Sequence, residues 1–433
     1  MTTIQRPAAA VVAPILDAFV GEPTDVRFEF WDQSVAGPSD APTTVRLRSP
    51  NALRRLLWAP GELGLARAYA AGELDLVGDP VDAILALRNA RIDGPLDGVR
   101  VVPRLVAASR SLGLVGPPPA PPAIESRPRG RRHGRRRDSA VISHHYDVGN
   151  EFYRLLLGPS MTYSCARFAH EGSTLEAAQE SKHELVCRKL GLDERADRRL
   201  LDVGCGWGAM ALHAARHHGA RVVGVTLSAE QADWARSSVA AAGLTERIEI
   251  RLADYRSLRD EPFDAISSIG MFEHVGASRR DEYFATLARL LVPEGRFVNH
   301  AISSVGGSRL GRRSFMYRYV FPDGELLDVA DVVTGMEGVG LEVRDVESLR
   351  EHYAQTLRAW IANLEAGWDD AVRLVGLERA QVWRLYLAGS AVGFIDGGIN
   401  VHQALGIRPA ADGRSGMPRT RDGWSTTVVA SPT

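Results

Sequence analysis

Apolar positions after Arg199 come in short runs. RLLDVG, ARVVGVT, IEIRLAD, FDAISSI and GRFVNHAI read as buried strands. Stretches of helical period fit between them, at 209–218 and 229–242. This alternation predicts βαβ units, hence an α/β fold with a parallel sheet covered by helices on both faces. From Ser304 to Ile399 the alternation loosens. LREHYAQTLRAWIANLEAGW and ERAQVWRLYLAGSAVGFID are long, aromatic-rich and helical in period. Nearer the N-terminus, TTVRLRS predicts a strand, with helices expected at 51–71 and 80–89. No internal repeat is visible.

The clearest break is GPPPAPPA (116–123), followed by RPRGRRHGRRR (127–137). Proline stiffens such a segment and like charges extend it, so a linker is expected. The expected organisation is a smaller domain at 1–115, a linker at 116–140, a larger domain at 141–408 and a tail at 409–433. The tail is Gly/Arg-rich, although WSTTVVA has the composition of an edge strand.

Bulk composition changes this picture little. The chain has 433 residues, 45% hydrophobic and 24% charged, as ordinary globular chains do. Its net charge of −1 hides an uneven spread, because seven arginines lie in 127–137 and the remainder is acidic. Three cysteines without CxxC spacing give no disulfide framework and fit a reducing cytoplasm. No apolar run approaches the roughly 20 residues of a membrane span. AAAVVAPIL is near signal-peptide length, but only Arg6 precedes it and Asp17 follows closely, so export is not expected.

Candidate chemistry begins at LLDVGCGWGAM (200–210), between a strand and a helix. Gly204, Gly206 and Gly208 permit a tight turn and close approach of a ligand. The spacing is GxGxG rather than the dinucleotide GxGxxG, and no phosphate-binding Lys-Ser/Thr follows. Asp202 suits a ligand amine. Together these point to S-adenosylmethionine (SAM), which has no phosphates and carries an amino acid and a sulfonium. The next strand ends at GVTLSAEQ with Thr226, and Gln231 opens the following helix, where many nucleoside sites have an acid. LADYRSL offers Asp254 and Tyr255 beside an adenine. HHYD, His274 and His300 match no zinc spacing, so no metal is expected.

ISHHYDVGNEFYRLLLGPSMTYSCARF, LDVGCGWG, GVTLSAEQ, DYRSL, SIGMFEHVG, NHAI and HYAQTLRAW together resemble the cyclopropane-fatty-acyl-phospholipid synthase family. The resemblance covers about residues 142–408, and GELGLARAYAAGELDLVGD resembles the smaller domain of its two-domain bacterial members. The group includes actinobacterial enzymes that make 10-methylene acyl chains. The resemblance implies a class I SAM-dependent methyltransferase core, Rossmann-like, with helical lipid-binding insertions and a smaller N-terminal domain. It implies cofactor contacts from Tyr163, Ser164, Leu227 and Ser228 besides those above. It also implies a bound bicarbonate ion as the base, held by Cys165, Glu273, His300, the Ile302 backbone and Tyr353.

The implied substrate is the cis double bond of an unsaturated phospholipid acyl chain. Methylation there creates carbocation character, which needs a dry site and aromatic faces. Tyr163, Phe272, Tyr317 and Trp360 are candidates, and 315–394 is the expected wall of an acyl tunnel. The product is a cyclopropane or a 10-methylene chain, the latter implying a reductase downstream. The arginine run suits anionic headgroups, so the protein is expected in the cytoplasm, peripheral on the inner membrane face, as a homodimer and without nucleic acid. Two other readings stay open: a SAM methyltransferase for a different molecule on the same fold, and a non-catalytic scaffold binding nucleic acid through the arginines.

Overall fold

Strand periodicity builds two main sheets and a two-stranded ribbon. The computed structural model describes residues 7–13, 25–89, 116–126, 148–322 and 324–425, with short stretches between 103 and 114. The arginine run and most of HHYDVGN lie outside the described residues. So does most of WSTTVVA, whose first residues sit in a helical turn, Asp422–Ser425.

The first sheet joins β1 (Val26–Glu29), β2 (Val35–Ala36), β3 (Thr43–Leu47) and β4 (Leu74–Val77) in the order β2-β1-β3-β4. Strands β1 and β3 alternate buried with half-buried residues, so one face packs on a core. Around it lie α1 (Asn51–Trp58), α2 (Glu62–Ala70) and α3 (Pro80–Asn89). The single helix expected over 51–71 is broken at Ala59–Gly61. Pro60 lacks an N–H, and Gly61 adopts φ 92°.

The second sheet contains β5 (Arg199–Val203), β6 (Arg221–Thr226), β7 (Ile248–Leu252), β8 (Phe263–Ile269) and β9 (Leu291–Ser303). A small ribbon, β10 (Ser308–Arg309) and β11 (Glu325–Leu326), follows, and β12 (Glu342–Ser348) and β13 (Asn400–Ile407) complete the sheet. The order is β12-β13-β9-β8-β5-β6-β7. Strands β5 to β9 pair in parallel, while β13 runs antiparallel to both β9 and β12. Its helices are α4 (Asn150–Leu157), α5 (Leu175–Lys189), α6 (Ala209–His218), α7 (Ala229–Ala241), α8 (Arg280–Arg289) and α9 (Val329–Glu337). Last come α10 (Arg350–Ala366), α11 (Trp368–Val375) and α12 (Leu377–Ile395).

The sheet is packed on both faces. Leu200, Val222 and Val298 lie in one apolar cluster with α5 and α6 residues; Leu201, Ile266 and Phe297 lie in another with Phe284 and Leu287 of α8. Each such side chain contributes roughly 2 kcal/mol when fully buried. Lys189, 1% exposed, ties α5 to β12 through Asp345 at 3.1 Å and Glu347 at 2.5 Å.

Two compact units result. One gathers Met1–Arg127, Gly311–Pro322 and Leu364–Val392, and the other Pro128–Leu310, Asp323–Asn363 and Gly393–Thr433. This boundary differs from the sequence expectation, because parts of α10 and α12 join the N-terminal unit. There Arg384 of α12 donates to the Tyr69 hydroxyl at 2.9 Å and to the Leu76 carbonyl at 3.1 Å. The expected tunnel wall, 315–394, is therefore divided between the units, and Tyr317 falls in the first.

Candidate active site

Strand β5 runs straight into the glycine turn. Gly204 has φ 76°, and a Cβ there would lie 3.0 Å from Met271 Cγ. Gly208, at φ 89°, opens α6, where a Cβ would meet Ala235 at 3.1 Å. The turn borders a cleft lined by Met161 to Ser164, Asp202 to Trp207, Thr226, Leu227, Gln231, Asp254, Tyr255 and Met271. Gly208 and Ser228 are not in this lining. Ser228 instead caps α7, its hydroxyl accepting from the Gln231 N–H at 3.3 Å.

The polar groups of the cleft differ in how they are satisfied. Thr226 Oγ1 donates to Gln231 Oε1 at 2.9 Å, so the two are held as a pair. Asp254 is clasped by Arg256, with Nη2 to Oδ2 at 2.6 Å, and also caps the turn at Tyr255. Asp202 is 2% exposed. Its Oδ1 accepts from Ser267 at 2.7 Å, while Oδ2 has no partner among the described residues. Burial pushes its carboxyl up to about 6. Lys182, His183 and His274 also line the cleft and carried no role in the sequence reading. Burial lowers His274 to about 4, so it packs there as a neutral ring.

Next to the cleft, Glu273 follows β8 in a short 3-10 turn. The Ile302 N–H donates to its Oε1 at 2.7 Å, and its buried Oε2 has no partner among the described residues. Burial raises this carboxyl to about 7. His300 lies two residues before Ile302 on β9, opposite Ile269 of β8. The Gln403 amide nitrogen lies 3.2 Å from His300 Nδ1. With that amide donating, the ring proton is on Nε2, which has no partner among the described residues. Burial, then Lys182 and Lys189, lowers His300 to about 3, so the ring is neutral.

Cys165 is fully buried, with Sγ 3.1 Å from the Ala166 carbonyl and 3.6 Å from that of Leu349. Burial pushes its thiol well up, which opposes a thiolate nucleophile. Tyr353 packs on Phe394 at 4.6 Å and edge-on to Trp360 at 6.1 Å. Trp360 lies 5.3 Å from Tyr163, Tyr163 lies 5.6 Å from Tyr153, and Tyr153 lies 4.5 Å from Trp207. This aromatic series runs from the glycine turn to Tyr353. Phe272 departs from it and packs with Tyr283 and Phe284 in the core.

Elsewhere, Cys187, His213 and His218 bring ligand atoms within 4.8 Å of one another. Both imidazoles reach Glu184 Oε2, at 3.2 and 2.9 Å, which accounts for the cluster by hydrogen bonding.

A family described as mycolic acid cyclopropane synthetase matches residues 133–404. A "probable fatty acid methyltransferase" of Mycobacterium tuberculosis is 44% identical over 94% of this chain and 97% of its own length. The cyclopropane-fatty-acyl-phospholipid synthase of Escherichia coli is 31% identical over 88% of this chain and 91% of its own. Among solved structures, mycolic acid cyclopropane synthase CmaA1, complexed with SAH and CTAB, superposes with TM-score 0.58 at 36% identity. That likeness covers 62% of this chain and 97% of CmaA1. Fold, glycine turn and relatives agree: this chain belongs to the mycolic acid cyclopropane synthetase family.

Proposed function

We propose that this protein is a SAM-dependent methyltransferase that adds one carbon at the cis double bond of phospholipid acyl chains, giving a cyclopropane or a 10-methylene chain. The observation that carries the reading is that Glu273 Oε2 and His300 Nε2 are both buried and without a partner among the described residues, on segments adjoining the cleft residues Met271, His274 and Ile269. Unpaired buried polar atoms are costly and call for a partner.

Asp202, the turn at Gly204–Gly206, the Thr226–Gln231 pair and Tyr255 would hold SAM. When bound, SAM supplies an electrophilic methyl carbon whose transfer to an alkene leaves a cation on the acyl chain. The faces of Tyr163, Trp360 and Tyr353 stabilise that charge and exclude water. Loss of a proton from the added methyl with ring closure gives a cyclopropane; a prior hydride shift gives the methylene branch. Either route needs a base near the new methyl.

A small planar anion reaching both orphaned atoms would satisfy each of them. Ionised Glu273 accepts an O–H through Oε2, and neutral His300 donates through Nε2. Bicarbonate held there supplies the proton acceptor. In this arrangement the Ile302 N–H aims Glu273 rather than the ion, while Cys165 and Tyr353 close the pocket. The arginine run at 127–137 supports docking on an anionic inner membrane face. Among the described residues no helix is long and apolar enough to cross a membrane. A homodimer and, for a methylene product, a downstream reductase complete the proposal.

Incubating the purified protein with methyl-labelled SAM and oleoyl phospholipid vesicles tests it. Label in the acyl chain, absent with stearoyl vesicles, is the expected result. Label confined to the headgroup, or none with active cofactor turnover, overturns the reading.

A further inference from the structure

The cleft is lined by five Asp, Arg and Lys side chains: Lys182, Asp202, Asp254, Arg256 and Arg279. Three of them are paired, Asp254 with Arg256 at 2.6 Å and Arg279 with Glu282 at 2.6 Å. Lys182 and Asp202 have no ion-pair partner among the described residues, and neither is more than 2% exposed. The chain has just two lysines. Lys189 is equally buried but has two carboxylates, at 3.1 and 2.5 Å. Among the described residues the hydrogen-bond partners of Lys182 are neutral, Ser164 Oγ at 3.1 Å and His183 Nε2 at 3.1 Å. Burial lowers Lys182 to about 7 and keeps His183 well below its ordinary value.

Asp202 is near enough to favour the Lys182 ammonium but not within ion-pair distance, and a buried ammonium without a contacting counter-charge is expensive. So is a buried carboxylate with one oxygen orphaned. A ligand carrying one carboxylate and one ammonium removes both costs. α5 aims Lys182 inward by the same turn that lets Gln179 Nε2 donate to the Ser164 carbonyl at 2.9 Å. Ser164 accepts from Lys182 and keeps its own hydroxyl proton to donate.

We propose that Lys182 binds the α-carboxylate of the cofactor's amino-acid group, with Asp202 Oδ2 taking its α-ammonium. The inference rests on the SAM reading of the cleft and adds to it a charge-selective socket. Lys182 acts in binding, and its substitution changes which ligands are retained.

Calorimetry with S-adenosylhomocysteine and its decarboxylated counterpart tests this. The wild type should prefer the carboxylate form by roughly 10- to 100-fold. Lys182→Met should bring that ratio close to unity and leave affinity for the decarboxylated ligand unchanged, and Lys182→Arg should keep part of the preference. A preference that survives in Lys182→Met overturns the proposal. So does an equal loss for both ligands, which would make Lys182 a prop of the pocket. A wild type that binds neither ligand instead overturns the SAM reading itself.

Discussion

The Ile302 N–H donates to Glu273 Oε1 at 2.7 Å, while Glu273 Oε2 stays buried and unpartnered among the described residues. One oxygen fixes the side chain, and the other is the atom that the proposed base site uses.

Glu273→Gln keeps an oxygen for the Ile302 N–H and replaces Oε2 by a donor. Turnover should fall by about 100-fold or more, in the range of a lost acid–base partner. Affinity for SAM, measured by calorimetry, should stay within about 3-fold of wild type, because Glu273 is not in the cleft lining. Wild-type turnover in this variant would contradict the assignment.

The same residue sets a pH dependence of stability. Its carboxyl moves from an ordinary 4.5 to about 7 in the fold. Between those values the folded state holds a proton that the unfolded state releases, so this contribution is present at low pH and is lost as pH rises through about 7. Glu273→Gln lacks it. In bicarbonate-free buffer the variant should therefore gain on wild type by about 3 kcal/mol between pH 4.5 and 8, as read from urea unfolding. A constant difference across that range would show that Glu273 is ionised in the fold.

If His300 Nε2 and Glu273 Oε2 hold a bicarbonate ion, its removal should slow the wild type. Turnover in carbonate-free buffer should recover on adding bicarbonate, and His300→Ala should lose the response. A rate indifferent to bicarbonate would assign the proton to another acceptor.

The arginine run predicts adhesion to anionic lipid. Replacing its seven arginines by glutamine should weaken vesicle sedimentation at low salt, at about 1 kcal/mol per charge near the surface. Unchanged sedimentation would remove the run from membrane docking.

Much of the core was legible because its signals are local. FDAISSI and RLLDVG announce buried strands, and three glycines after the second announce the turn. The helices expected at 209–218 and 229–242 appear at Ala209–His218 and Ala229–Ala241. Two strands of the seven-stranded sheet escaped. β12 is an edge strand, EVRDVES, whose charged residues hide its pairing, and β13 gains its place only through long-range pairing with β9. Lys182 escaped for a similar reason. Between Glu180 and Glu184 it reads as one more residue of a solvated helix face, and only packing shows that it points inward. The base-site residues lie on separate segments, at 165, 273, 300 and 353, and local patterning does not join them. The family motifs joined them, as what the resemblance implies.

The most direct measurement is mass spectrometry with NMR of phospholipids from a host that makes oleoyl chains, expressing either this protein or its Glu273→Gln variant. The account predicts that oleoyl species gain one CH₂ with the wild type alone, as a cyclopropane ring or an exocyclic methylene that NMR separates. Unmodified oleoyl phospholipids alongside folded, SAM-binding protein would contradict it.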